Sequence, residues 1–306
     1  MSIQTDVRSS PATLPSSPAA AVQDSPAAAR WQRLAAYFLL AELVVLYAPT
    51  AKFLWERWTI SVWHNAHGML VPPVVAYLIY QELKRFKNSP PASSAWGFVL
   101  LVPALAVHAL DAGMHTQLLS AAGIVLAMPG LSLIFLGVER TRAILFPLLF
   151  LAAALPIPLG MTERIHMELR LVAAAASGWV VPLLGIPVFV ERTTLHLPPG
   201  ALEIGDACSG FSTLYAAIAV ACLVAHSAAT FGRKALVLLA AAPLAIAANI
   251  LRIIVLVLLV MWRGAGVLET FLHPLSGMMT FALALPIIFW LGGDMRPQAA
   301  LHEEKA

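Results

Sequence analysis

Eight apolar runs, most of them near the roughly 20 residues that cross a bilayer core, constrain this chain more than any other feature. They cover Leu34 to about Thr50, and then about 68–82, 96–110, 117–138, 143–160, 208–230, 235–262 and 274–292. In hydrocarbon every backbone N–H and C=O must find its partner inside the segment, so runs of this length are solved as helices. Of the 306 residues, 60% are apolar and only 11% charged, too little charge to clothe a soluble domain of this size. The expected fold is an all-α membrane protein, with about eight transmembrane helices in one bundle.

Residues 1–30 are mostly Ala, Pro and Ser. They cannot bury enough apolar surface to fold and are expected to form a disordered cytoplasmic tail; they lack the apolar core of a signal peptide. Residues 31–293 form the polytopic membrane domain, and 294–306 a short cytoplasmic tail.

Placing the tail inside puts twelve basic residues on the inner side: Arg8, Arg30, Arg33, Lys84, Arg85, Lys87, Arg140, Arg142, Arg233, Lys234, Arg296 and Lys305. Lys52, Arg57, Arg164, Arg170, Arg192 and Arg263 fall outside. That bias follows the positive-inside tendency. A ninth span at 166–187 would carry Arg233 and Lys234 outward, so 161–207 is expected on the outer face, with 166–187 as a helix there. No basic stripe with interleaved aromatics appears, which argues against nucleic acid as a partner.

Within the outer segment, VFVERTTLHLPPGALEI alternates β-branched and polar residues around Pro198-Pro199-Gly200, the pattern of a short β-hairpin. It runs into GDACSGFSTLYAA. Asp206 is expected to cap the next helix, which places Cys208 in its first turn, where free N–H groups favour a thiolate and the Asp206 carboxylate opposes it. Cys222 lies fourteen positions on, roughly 21 Å along a helix, too far for a disulfide. It reads as a small core- or lipid-facing hydrophobe.

A cysteine in an apolar helix is most often plain packing, but Cys208 stands at an aqueous boundary. Arg252, in AIAANILRIIVLVLL, costs at least about 2.5 kcal/mol inside a span, and it sits too deep to snorkel easily. Asn249 lies one turn earlier on the same face. His273 opens the last run in FLHPLSGMMTF, with Pro274 suited to a first helical turn and Gly277 allowing close backbone approach. The expected topology brings Cys208, Arg252 and His273 to the outer halves of three successive helices. A thiol with an imidazole is the constellation for nucleophilic catalysis, and a guanidinium stabilises an oxyanion or holds a carboxylate.

These residues resemble the exosortase/archaeosortase family of membrane cysteine transpeptidases. The resemblance runs through ACSG at 207–210, NILR at 249–252 and HPLSG at 273–277, with NAHGMLVPPVVAYLIY at 65–80 similar to the family's His-Gly element. It implies a catalytic Cys208, Arg252 and His273 at the inner-membrane periplasmic face. It also implies, as partners, exported proteins with a C-terminal sorting signal: a Pro-Glu-Pro-like motif, a membrane helix and a basic tail, in bacteria that make extracellular polysaccharide. After an acyl-thioester forms on the cysteine, an acceptor nucleophile, unknown from the sequence, would release the protein. SGFSTLYA after the cysteine departs from the Ile-Arg pair many members carry after that Gly.

Ser209, Gly210, Asn249, Asp206 and Gly277 are supporting candidates, and His67 beside Gly68 a substrate-facing one. Asp206 and Glu203 are also candidates to orient His273, though capping and solvation are their simpler roles. His108, His166, His196 and His226 show no metal-ligand spacing, and neither metal nor cofactor is expected. Two other readings remain: a transporter, since buried Arg and Asn also mark substrate paths, and a purely hydrolytic membrane cysteine protease with the same site.

Overall fold

A computed structural model describes residues 26–60, 65–89 and 92–293. The 1–25 and 294–306 segments, on which most of the two expected tails fall, lie outside the described residues. The chain divides into a unit ending at Ala48 and a larger one beginning at Pro49. The first contributes helix α1, Pro26–Leu46; everything below concerns the second.

Its helices are α2 (Ala48–Thr59), α3 (Val71–Leu83), α4 (Gly97–Met114), α5 (Leu118–Ala143), α6 (Leu145–Phe150), α7 (Leu159–Val180), α8 (Phe211–Ser227), α9 (Phe231–Arg263) and α10 (Leu272–Gly292). Among the described residues five helical stretches are long and apolar enough to cross a membrane: Gly97–Met114, Leu118–Ala143, Gly160–Leu184, Phe231–Arg263 and Leu275–Gly292. Tyr37–Leu46 and Ala48–Thr59 pass the same test only when taken together.

Besides the broken Leu34–Thr50 run, three of the eight expected spans are interrupted or shortened. The 143–160 run gives the six-residue α6 and a 3-10 turn over Leu151–Ala154. Leu155, which precedes Pro156, is then forced into extended backbone (φ −73°, ψ 136°). The 68–82 run gives a 3-10 segment, Ala66–Leu70, and the 13-residue α3, started by Pro72 and Pro73. The 208–230 run gives the 17-residue α8. Conversely, the doubtful 166–187 stretch falls on α7, which qualifies as a crossing by length and composition.

The segment 189–203 forms a three-stranded antiparallel sheet, β1 (Phe189–Glu191), β2 (Thr194–Leu197) and β3 (Gly200–Glu203), where a two-stranded hairpin is expected. Strands β2 and β3 pair with Thr194 opposite Glu203 and Leu197 opposite Gly200. Leu195, Leu197 and Leu202 turn inward and are buried, the period-2 alternation that fixes register.

Helix α9 is the spine. At 33 residues it is roughly 50 Å long, well beyond a bilayer core of about 30 Å. Its first half packs on α8 and α10 around Val237 and Ile288 and through Ala217, Ala221, Ala241 and Ala245, small side chains that let helices approach closely in lipid. Its second half, Ile253, Leu256, Val257 and Val260, forms one core with Ala173 and Ala174 of α7, the inward leucines of the sheet, and Cys208. The thiol therefore sits where the helices meet the sheet.

Candidate active site

Asp206 does not cap α8, whose N-cap is Gly210, so Cys208 is not in that helix's first turn. It closes a separate 3-10 turn, Asp206–Cys208, with its N–H donating to Gly205 O at 2.9 Å. Helix α8 begins only at Phe211, after Gly210 in left-handed backbone at φ +81°. That break has a packing cause: a Cβ on Gly210 would lie 2.5 Å from Asn249 Cγ, so glycine alone lets the backbone pass α9 here.

Asn249 repays the close approach by donating from Nδ2 to the Cys208 carbonyl oxygen at 3.1 Å. Its Oδ1 is buried and has no hydrogen-bond partner among the described residues. Beside this bond lies a small crevice lined by Ser209, Gly210, Leu214, Asn249, Ala245, Ile246 and, from α7, Leu169 and Ala173.

Arg252 follows one turn after Asn249 and is 6% exposed. Its Nε–H donates to Ser276 Oγ at 3.0 Å. Gly277 presents bare backbone to the guanidinium, where a Cβ would stand 3.2 Å from Cζ. Ser276 and Gly277 of α10 thus form a slot for a planar cation. Cys208 is 3% exposed. Burial pushes its thiol above the ordinary cysteine value, and the Arg252 charge pulls it partly back. The structure thus brings together Cys208, Ser209, Gly210, Asn249, Arg252 and Gly277. His273 is the second residue of α10 and Pro274 the third. The His273 side chain lies outside the described ones, and with it any contact to Asp206 or Glu203.

Asp206 is 65% exposed at its side chain and pairs with Arg170 Nη1 at 3.4 Å; its Oδ1 is 3.8 Å from His166 Nδ1. His166 is buried, lies 3.0 Å from Ser209 Oγ, and packs its ring on Phe211. Spacing in the chain gave no hint of it, because 43 positions separate it from Ser209. His67 packs edge-on against Tyr215 of α8 at 4.4 Å. It hydrogen-bonds the Ala153 backbone, and burial holds its imidazole below the ordinary histidine value. Gly68 beside it lies against Trp58, whose indole N–H donates to Ala154 O. Among the described residues no group of three His, Cys, Asp or Glu could hold a metal ion.

A family model described as transmembrane exosortase matches residues 55–290. No curated protein and no solved structure matches the chain.

Proposed function

Because the chain belongs to the transmembrane exosortase family, we propose that it is a membrane cysteine transpeptidase, with Cys208 as nucleophile, Arg252 as electrostatic clamp and His273 as general base and acid. The observation that carries this reading is the placement of Arg252. A buried guanidinium, seated against Ser276 and Gly277, lies near enough to a buried thiol for its charge to lower the thiol's pKa. A cation so costly to bury needs a reason, and a charge that develops during reaction supplies one.

The substrate class is an exported protein with a C-terminal sorting signal of the Pro-Glu-Pro type, presented at the outer face of the inner membrane. Since the resting thiol is held above its ordinary pKa, it is protonated and needs a base. His273 takes the S–H proton, and sulfur attacks the scissile carbonyl, with Arg252 balancing the oxyanion. Collapse breaks the C–N bond, the imidazolium returns its proton to the leaving amine, and an acyl-thioester remains. An acceptor amine or water then breaks the C–S bond and releases the thiol.

Co-expression with a tagged substrate bearing such a signal tests this. Cys208→Ala should abolish processing while Cys222→Ala leaves it intact, and a covalent thioester should be trapped on Cys208. Transfer of the cleaved product to added hydroxylamine marks a transpeptidase, and release as the free acid alone marks a hydrolase. Normal processing by Cys208→Ala would overturn the assignment.

A further inference from the structure

Three contacts converge on Ser209 Oγ, next in the chain to Cys208: Asp206 O at 2.8 Å, Phe211 N at 3.3 Å and His166 Nδ1 at 3.0 Å. A hydroxyl offers one proton and two lone pairs. The proton goes to the Asp206 carbonyl, which can only accept. One lone pair takes the Phe211 N–H, and the other is filled when His166 donates from Nδ1. The Asp206 carboxylate, 3.8 Å from the same nitrogen and held at 3.4 Å by Arg170, favours that tautomer.

The grouping superficially resembles a Ser-His-Asp relay and is not one. In such a relay serine and carboxylate occupy opposite ring nitrogens, whereas both face Nδ1 here, and the serine proton is already engaged. What the geometry provides is a brace. His166 is 6% exposed, with its ring 4.6 Å from that of Phe211, the first residue of α8. Its helix, α7, shares the core around Cys208 through Ala173 and Ala174.

We propose that His166 is a positioning residue: by donating from Nδ1 to Ser209 Oγ, it fixes from α7 the turn that presents Cys208. The proposal rests on Cys208 being the nucleophile. A misplacement of about 1 Å is enough to cost on the order of a hundredfold in rate.

The test uses the full-length protein in lipid nanodiscs, with Cys222→Ala so that iodoacetamide reports Cys208 alone. Processing of a signal-bearing substrate is resolved into kcat and KM. Asparagine puts an amide N–H where Nδ1–H stands; glutamine reaches instead to the Nε2 position. His166→Asn should keep kcat and the alkylation rate within about threefold, whereas His166→Gln and His166→Ala lower kcat about tenfold or more. KM should stay nearly unchanged, and the alkylation rate should shift with kcat. Adding His166→Ala to Ser209→Ala should cost nothing further, since the two act as one unit. Equal losses in the Asn and Gln variants, or additive losses with Ser209→Ala, would overturn the proposal. If His166→Ala fails to fold, the Asn and Gln pair alone decides. Should Cys208→Ala process substrate normally, the nucleophile reading fails, and the alkylation rates still report whether His166 holds the turn.

Discussion

The Asn249 side-chain amide donates to the Cys208 carbonyl oxygen across 3.1 Å, so the turn bearing the thiol is hung from the same helix that carries Arg252. Sequence neighbours of Cys208 contribute the turn, but its attachment comes from 41 positions away.

Asn249→Ala removes that bond, at a cost of about 0.5–1.5 kcal/mol. Gly210→Ala brings a Cβ to 2.5 Å from Asn249 Cγ at a backbone φ of +81° and is expected to destabilise as well. Combined, the two should lose less than the sum of their single effects, because trimming Asn249 relieves part of the clash. Thermal unfolding midpoints in detergent measure all three; full additivity would contradict the packing described.

Alkylation of Cys208 should depend on pH in a stated direction. Only the thiolate reacts, and burial raises the thiol pKa, so in a Cys222→Ala background the rate climbs through a midpoint above that of free cysteine. Arg252→Met removes the charge that opposes the shift. Its midpoint should move higher still, and its rate at pH 8 should fall. A faster rate at pH 8 would show that Arg252 does not act on the sulfur.

The slot beneath Arg252 tolerates little. A Cβ at Gly277 would stand 3.2 Å from the guanidinium carbon, so Gly277→Val should displace the cation and cut kcat about tenfold or more. Ser276→Ala, which deprives Arg252 Nε–H of its acceptor, should cost less, since the charge remains. Steady-state kinetics on a signal-bearing substrate give the order, and Gly277→Val at wild-type rate would remove the slot from the mechanism.

Orientation is open to labelling. In a Cys208→Ala, Cys222→Ala background, a membrane-impermeant maleimide added to intact cells depleted of their outer membrane should modify Glu203→Cys in β3. Lys87→Cys should react only after the membrane is opened. The reverse pattern would invert the proposed topology.

Rare residue types made much of the site legible. In a chain that is 11% charged, an arginine amid NILRIIV stands out, and so does a cysteine followed by Ser and Gly just after a strand-like stretch. The sheet was half legible: alternation around Pro198 and Pro199 marks β2 and β3, while β1, three residues long, is too short to carry a period. Helix breaks were not legible, because a hydropathy run registers composition and not the extended backbone that Pro156 imposes on Leu155. Gly210 misled for the same reason; its left-handed backbone answers to Asn249 on another helix. His166 escaped because its partner is a serine reached only by folding α7 onto α8.

Helix α9 runs for 33 residues with Pro243 in its first half, and past that proline it carries the grip on the Cys208 carbonyl and the guanidinium one turn apart. A rod of this kind transmits displacement with little loss. Any piston-like slide of α9 against its neighbours carries both groups by the same increment, keeping the cation in register with the sulfur's turn. An incoming peptide that drew them apart would have to unwind that half of the helix or shear its C-terminal end from the leucines of the sheet.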